Sequence, residues 1–210
     1  KLTLLGGDTV AIRGNLIMSL TAYGVANQKI LKRSGASIGE DIYVTGNIGD
    51  SGIGYGILLK KFKMLNSSLK KFYIMKHKIP DPPVEFAKSI GKYATAATDI
   101  SDGFLADLNN LIMSSKCGAE IMINKIPLIT KTKKLIDQKI VKIDYLLSCG
   151  EDYQLIFTAN KKFSKYILRL ANKCLIKVVK VGEIIKKRKL KILDAKRKEL
   201  SFSVLGFKHF

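Results

Sequence analysis

The sequence predicts an α+β protein. Helical and strand-like patterns follow one another irregularly instead of alternating as βαβ units. Three successive strand-like runs, at 177–185, 189–194 and 200–204, follow the last amphipathic helix, and no internal repeat or low-complexity segment interrupts the order. With 210 residues, 47% of them hydrophobic and 26% charged, the chain can bury a core as one domain or as a domain plus a fragment.

Residues 1–5 read as the end of a strand, Gly6-Gly7-Asp8-Thr9 as a tight loop and 15–22 as a second strand. Gly-Gly lets the backbone approach a ligand and turns amides toward it, although such a loop also serves as a plain turn. The polar connector from Lys32 to Asp41 marks the expected boundary between 1–37 and 38–210. Arg33 within it reads as a solvated linker residue or a phosphate clamp. Ile42-Tyr43-Val44-Thr45 has strong β propensity. The Gly-rich run 46–54 then opens a helix to about Phe62, with Asp50 or Ser51 as expected N-cap. It lacks the Gly-Lys-Ser/Thr of a P-loop.

Residues 66–76 are helical in pattern, and the proline-rich turn 76–83 breaks them. His77 falls in that break and reads as a loop residue. Pro83 suits the first turn of a helix over 84–92. An extended run, Tyr93 to Thr98, then meets Asp99-Ile100-Ser101-Asp102-Gly103. Ser101 or Asp102 is an expected N-cap for a helix reaching Ser115, whose Leu105, Leu108, Leu111 and Ile112 face a core. Unpaired carboxylates cannot simply point inward, so Asp99 and Asp102 cap the helix, hold a cation, or do both. Gly118 ends that helix, a strand covers 119–123 and a short helix 130–139. Glu151 and Asp152 sit at a glycine turn before the strand 154–158, again as caps or as functional acids. An amphipathic helix over 164–173 precedes the closing strands, and Gly206-Phe207-Lys208-His209-Phe210 ends the chain as a core anchor or a ligand cover.

The net charge of +20 comes from 37 basic and 17 acidic residues. Lysine dominates and is scattered, and the densest run, 186–191, carries no aromatic. It reads as a solvated strand-turn-strand edge, and nucleic acid is not an expected partner. Cys117, Cys149 and Cys174 are odd in number, far apart and without CxxC, which argues against a disulfide framework or structural zinc and for a cytoplasmic setting. No apolar run approaches the ~18 residues of a membrane span. The chain opens without Met in what reads as the tail of a strand, so an absent upstream portion is expected.

Six blocks in order resemble the thiamine-monophosphate kinase family, of the superfamily that includes aminoimidazole ribonucleotide synthetase. They are Gly6-Gly7-Asp8-Thr9, Arg33-Ser34-Gly35-Ala36 with 39–46, Gly49-Asp50-Ser51, Asp99-Ile100-Ser101-Asp102-Gly103, Cys149-Gly150-Glu151-Asp152-Tyr153 and the terminal Gly206–Phe210. The resemblance implies a C-terminal α+β domain of that superfamily's fold behind a remnant of the N-terminal ATP-binding, dimerising domain. It implies an ATP- and Mg²⁺-dependent kinase that phosphorylates thiamine monophosphate to thiamine diphosphate, working as a homodimer at full length. By the same resemblance Asp8, Asp99 and Asp102 would hold Mg²⁺, Gly7, Asp8, Arg33 and Ser101 would bind ATP, and Glu151 and Phe207 would bind the acceptor. Val10, Cys149 and Gln154 depart from the family pattern, and the family's upstream acidic motif, substrate histidine and further metal-binding aspartate do not occur before Lys1. The chain is therefore expected to be inactive as it stands, as a fragment of a longer enzyme, a degenerate gene product, or a dead domain kept for dimerisation. The alternatives are another ATP-using enzyme of the superfamily, of the aminoimidazole ribonucleotide or selenophosphate synthetase type, or a basic nucleic-acid-binding module.

Overall fold

The computed structural model describes residues 3–26, 29–202 and 206. A mixed seven-stranded sheet organises them, in the order β2-β4-β1-β5-β3-β6-β7. The strands are β1 (Asp41–Thr45), β2 (Ala94–Asp99), β3 (Gly118–Met122), β4 (Leu155–Ala159), β5 (Val178–Ile185), β6 (Leu190–Leu193) and β7 (Glu199–Leu200). Neighbours run antiparallel except β3 and β6.

β1 is buried along its whole length, and the two-residue alternation of a strand divides it between two cores. Ile42 and Val44 join Phe104, Leu105, Leu108, Leu111 and Ile112 of α4 (Phe104–Ser114) on one face. Tyr43 turns to the other, where Phe157 stacks on it at 5.2 Å beneath α3 (Val84–Ile90) and α7 (Ser164–Lys173). Each of these large apolar side chains contributes about 1.5–3 kcal/mol by leaving water. A third, all-helical cluster packs α1 (Asp50–Leu58), α2 (Ser67–Lys78), α5 (Thr130–Asp137) and α6 (Ile143–Ser148) around Ile53, Tyr73, Leu135 and Leu146. The architecture is α+β, as the irregular order of elements predicts.

The segment before β1 follows the sheet only at its end. Ala97 N–H, on the outer edge of β2, donates to Lys32 O at 2.9 Å, and Leu31 and Ala36 pack on the two cores. Residues 3–26 are exposed and carry neither helix nor strand, so the strands expected at 1–5 and 15–22 are absent over the described residues. A strand forms only where a neighbour takes up its N–H and C=O groups, and the seven-stranded sheet offers these segments none.

The lysine run is not a hairpin edge either. β5 and β6 do not pair with each other; β3 lies between them, and the connection 186–189 crosses over the start of β3. Gly118 stands at the crossing because a Cβ there would lie 1.8 Å from Lys187 O. Over the described residues the closing strand is Glu199–Leu200, with the last two positions of the expected 200–204 run lying outside them, and α6 was not anticipated.

Candidate functional site

Past the ends of β2 and β4 the antiparallel pairing continues and zips two polar turns together. Ile100 N–H donates to Gln154 O at 2.8 Å, Tyr153 N–H to Ile100 O at 2.9 Å and Glu151 N–H to Ser101 O at 2.9 Å. Gly150 is required at the contact, since a Cβ there would lie 1.9 Å from Ser101 O. The Asp99–Gly103 turn and the Cys149–Tyr153 turn, 50 residues apart in the sequence, thus share one face.

Neither Ser101 nor Asp102 caps α4. The N-cap is Gly103, at φ 123°, without a side-chain capping bond. The turn is held instead from inside the helix. Asp107, fully buried, accepts through Oδ2 from Ser101 N–H and Asp102 N–H, both at 2.9 Å. Its Oδ1 has no hydrogen-bond partner among the described residues. Burial raises the Asp107 pKa, the bond from Asp102 N–H opposes this, and the charges of Asp102 and Asp99 raise it further. With the backbone secured by Asp107, Asp102 takes no part in capping α4.

The second turn separates its two acids. Glu151 and Tyr153 have φ of 69° and 48°, a left-handed conformation costing about 1–2 kcal/mol for each side-chain-bearing residue. Between them Asp152 turns inward. Its carboxylate accepts from Gly49 N–H at 2.6 Å and Ser51 N–H at 3.2 Å and so caps α1 from 103 residues away. Asp50 and Ser51 do not cap α1 themselves; its N-cap residue is Gly49. Burial pushes Asp152 up to about 7, the Gly49 and Ser51 N–H groups oppose the rise, and the Asp50 charge adds to it. Asp50, also raised by burial, accepts from Thr132 Oγ1 at 2.6 Å. Of the two acids at this turn Asp152 is a cap, while Glu151 stays exposed and faces a cavity.

That cavity, of ≈ 320 Å³, is lined by Gly52, Tyr55, His77, Ser101, Cys149, Gly150 and Glu151. It joins Ser101 to Glu151, as the two turns require. It also contains His77, which lies in the last turn of α2 and not in a loop. Helix-ending chemistry read at the prolines placed the break two residues too early. Burial pushes the Cys149 thiol up to about 11, which disfavours the thiolate.

Asp99 lies outside this cavity and borders a second one of ≈ 320 Å³, with Lys29, Thr98 and Leu155 among its lining residues. Arg33 approaches the same strand end, its Nε donating to Thr98 Oγ1 at 3.2 Å. Gly7 and Asp8 lie in the exposed stretch 3–26, where the Asp8 carboxylate accepts from Thr9 N–H at 2.8 Å. The carboxylates of Asp99 and Asp102 offer the hard oxygen donors that a divalent cation takes. Among the described residues, however, no group of three or more His, Cys, Asp or Glu is placed to hold a metal ion, so Asp8 does not complete such a set with them. Phe207 lies outside the described residues. No helix among the described residues is long and apolar enough to cross a membrane.

Residues 37–195 match the family described as AIR synthase related protein, C-terminal domain. The thiamine-monophosphate kinase of Buchnera aphidicola subsp. Acyrthosiphon pisum (strain APS) is 39% identical over 210 residues, covering 99% of this chain and 64% of that protein. This chain thus spans a little under two thirds of the curated relative's length. Among solved structures, one described as AaThiL complexed with AMPPCP and TMP superposes with a TM-score of 0.70 at 31% identity, covering 86% of this chain and 54% of that one. Thiamine monophosphate kinase from Aquifex aeolicus superposes at 0.66 with 30% identity, covering 81% and 54%.

Proposed function

We propose, from the premise that this chain belongs to the AIR synthase related family, that it is the C-terminal part of a kinase that transfers the γ-phosphoryl group of ATP to the phosphate of thiamine monophosphate. One observation carries the reading: the Asp99–Gly103 and Cys149–Tyr153 turns are zipped into one wall. A nucleotide-side residue, Ser101, and an acceptor-side carboxylate, Glu151, thereby share a cavity. The likeness to thiamine-monophosphate kinases along 99% of the chain, and to a structure holding an ATP analogue and TMP, supports the choice of substrates.

Phosphoryl transfer needs little covalent help from the protein; it needs the two substrates held in line and the phosphate charge absorbed. Arg33 offers the nucleotide a planar fork beside the end of β2, and Ser101 a hydroxyl from the turn. Gly7 and Asp8 would bring backbone amides to the phosphates. Glu151 meets the cationic or amine-bearing part of the acceptor, and Phe207 covers its ring. Mg²⁺, held by Asp99 and Asp102 with Asp8 and further acids outside this chain, would neutralise phosphate charge when bound. On this reading residues 1–37 belong with an upstream ATP-binding domain, 38–210 form the C-terminal domain, and the whole protein is a cytoplasmic homodimer.

The test is thiamine diphosphate formation by a protein extended upstream to the relatives' length. Turnover should require Mg²⁺ and fall about 100-fold or more in Asp102→Asn, the loss typical when a preorganised electrostatic contact to the transition state is removed. Absence of turnover in the extended wild type refutes the kinase reading; equal turnover in Asp102→Asn removes that residue from the site.

A further inference from the structure

His77 has no part in the reading above, yet it is built into the same cavity. Gly54 makes this possible. A Cβ at Gly54 would lie 2.1 Å from Tyr73 O and 2.8 Å from His77 Cβ, so α1 and α2 touch backbone to backbone and carry His77 against α1. There Ser51 Oγ lies 3.1 Å from His77 Nδ1. Ser51 is itself buried and fixed, because its N–H bonds the Asp152 carboxylate. With Nδ1 engaged by the hydroxyl, Nε2 is the remaining polar atom of a side chain that lines the cavity, a donor in the tautomer where Ser51 gives its proton to Nδ1 and an acceptor in the tautomer where Nδ1–H donates to Ser51. The Tyr55 ring stands beside it, at 5.4 Å between centroids and tilted by 42°. Gly52 keeps the neighbouring wall free of a side chain, since a Cβ there would lie 2.3 Å from Cys149 Cβ.

We propose that His77 and Tyr55 form the specificity wall of the acceptor site, taking the planar nitrogen heterocycle of the substrate against the Tyr55 face and hydrogen-bonding it through His77 Nε2. This rests on the reading of Glu151 as the acceptor-side carboxylate. The chemistry of the wall selects the occupant. Two aromatic rings present flat apolar surface, one imidazole nitrogen reads a ring nitrogen or exocyclic amine, and Glu151 balances positive charge. The ≈ 320 Å³ volume admits one small bicyclic or linked two-ring molecule, at the lower end of ligand pockets, which span about 300–1,000 Å³. Ser51 and Gly54 are positioning residues, acting through His77 alone.

The chain has two histidines, so His77 can be followed by its own imidazole proton signals, identified as those lost in His77→Ala. Titrating the protein extended upstream to the relatives' length with thiamine monophosphate should move these signals. The dissociation constant by calorimetry should rise about tenfold in His77→Ala, the loss of a hydrogen bond together with an aromatic contact, and recover in part in His77→Gln. A thermal midpoint of the alanine variant within about 3 °C of wild type, equivalent to roughly 1 kcal/mol, separates this loss from unfolding. If wild type binds thiamine monophosphate while the His77 signals stay still and His77→Ala binds equally well, the wall assignment is overturned and the acceptor reading survives. If wild type binds none, the acceptor reading and the wall assignment fall together.

Discussion

Asp152 should make the protein less stable as the pH rises through the neutral range. Its carboxyl is buried and raised to about 7, against about 4 in an unfolded chain. Below pH 4 both states hold the proton and the native state gains most from it. Between pH 4 and 7 the unfolded chain ionises first, so folding loses about 1.4 kcal/mol per pH unit. Over that whole window the loss reaches about 4 kcal/mol, and from pH 5 to 8 about 3 kcal/mol remains. Asp152→Asn removes the titration. Its amide oxygen keeps the bond from Gly49 N–H, but its NH₂ then faces Ser51 N–H, so the variant starts about 1 kcal/mol less stable at pH 5. Urea unfolding followed by circular dichroism at pH 5 and pH 8 reads both effects. Wild type should lose about 3 kcal/mol more than the variant across that interval. Asp107, raised by burial with the same sign, titrates in both proteins and cancels in the difference, whereas Asp50, whose charge acts on Asp152, is part of the effect that the difference reads. Parallel pH dependence in the two proteins would refute the reasoning.

Two further outcomes follow from the geometry. Asp107→Leu strips the acceptor from two N–H groups and should cost about 2–3 kcal/mol, whereas Asp107→Asn, which can keep both bonds on one oxygen, should cost less than about 1; equal urea midpoints for the two variants would show that Asp107 does not hold the turn. Gly54→Ala should force α1 from α2, at about 1–3 kcal/mol, and shift the His77 imidazole signals without any ligand; an unchanged spectrum would show that the helices do not depend on that contact.

Much of the fold is legible in the sequence because it is local. The apolar stripe of α4 and the β-branched run of β1 are written within single windows, and the structure places both where the pattern does. What was not legible depends on distant partners. Asp152 caps a helix 103 residues away, and nothing next to Asp50 or Ser51 announces that the cap is supplied from elsewhere. Ser101 and Asp102 have the composition of an N-cap, but Asp107 reaches back and takes their N–H groups. His77 enters the cavity only because Gly54 lets two helices touch, a packing event that periodicity does not encode. In the other direction, residues 15–22 have the composition of a strand and pair with no strand among the described residues. The joining of Ser101 to Glu151 was readable only as motif order; the backbone ladder that accomplishes it appears with the fold.

The strand order also governs when this protein can fold. Among the described residues only β6 and β7, at two residue pairs, are neighbours in both sequence and space, and every other pairing joins distant segments. β1, the apolar centre of the sheet, leaves the ribosome ahead of both its partners and has none until β4 and β5 emerge. β5 and β6 in turn cannot close on each other without first admitting β3 between them. Such non-local assembly delays the transition state, since loop-closure entropy is spent before pairing returns it. During synthesis β1 therefore remains an unpaired apolar strand until β4 follows it out, the state that chaperones recognise and that aggregates when they are scarce.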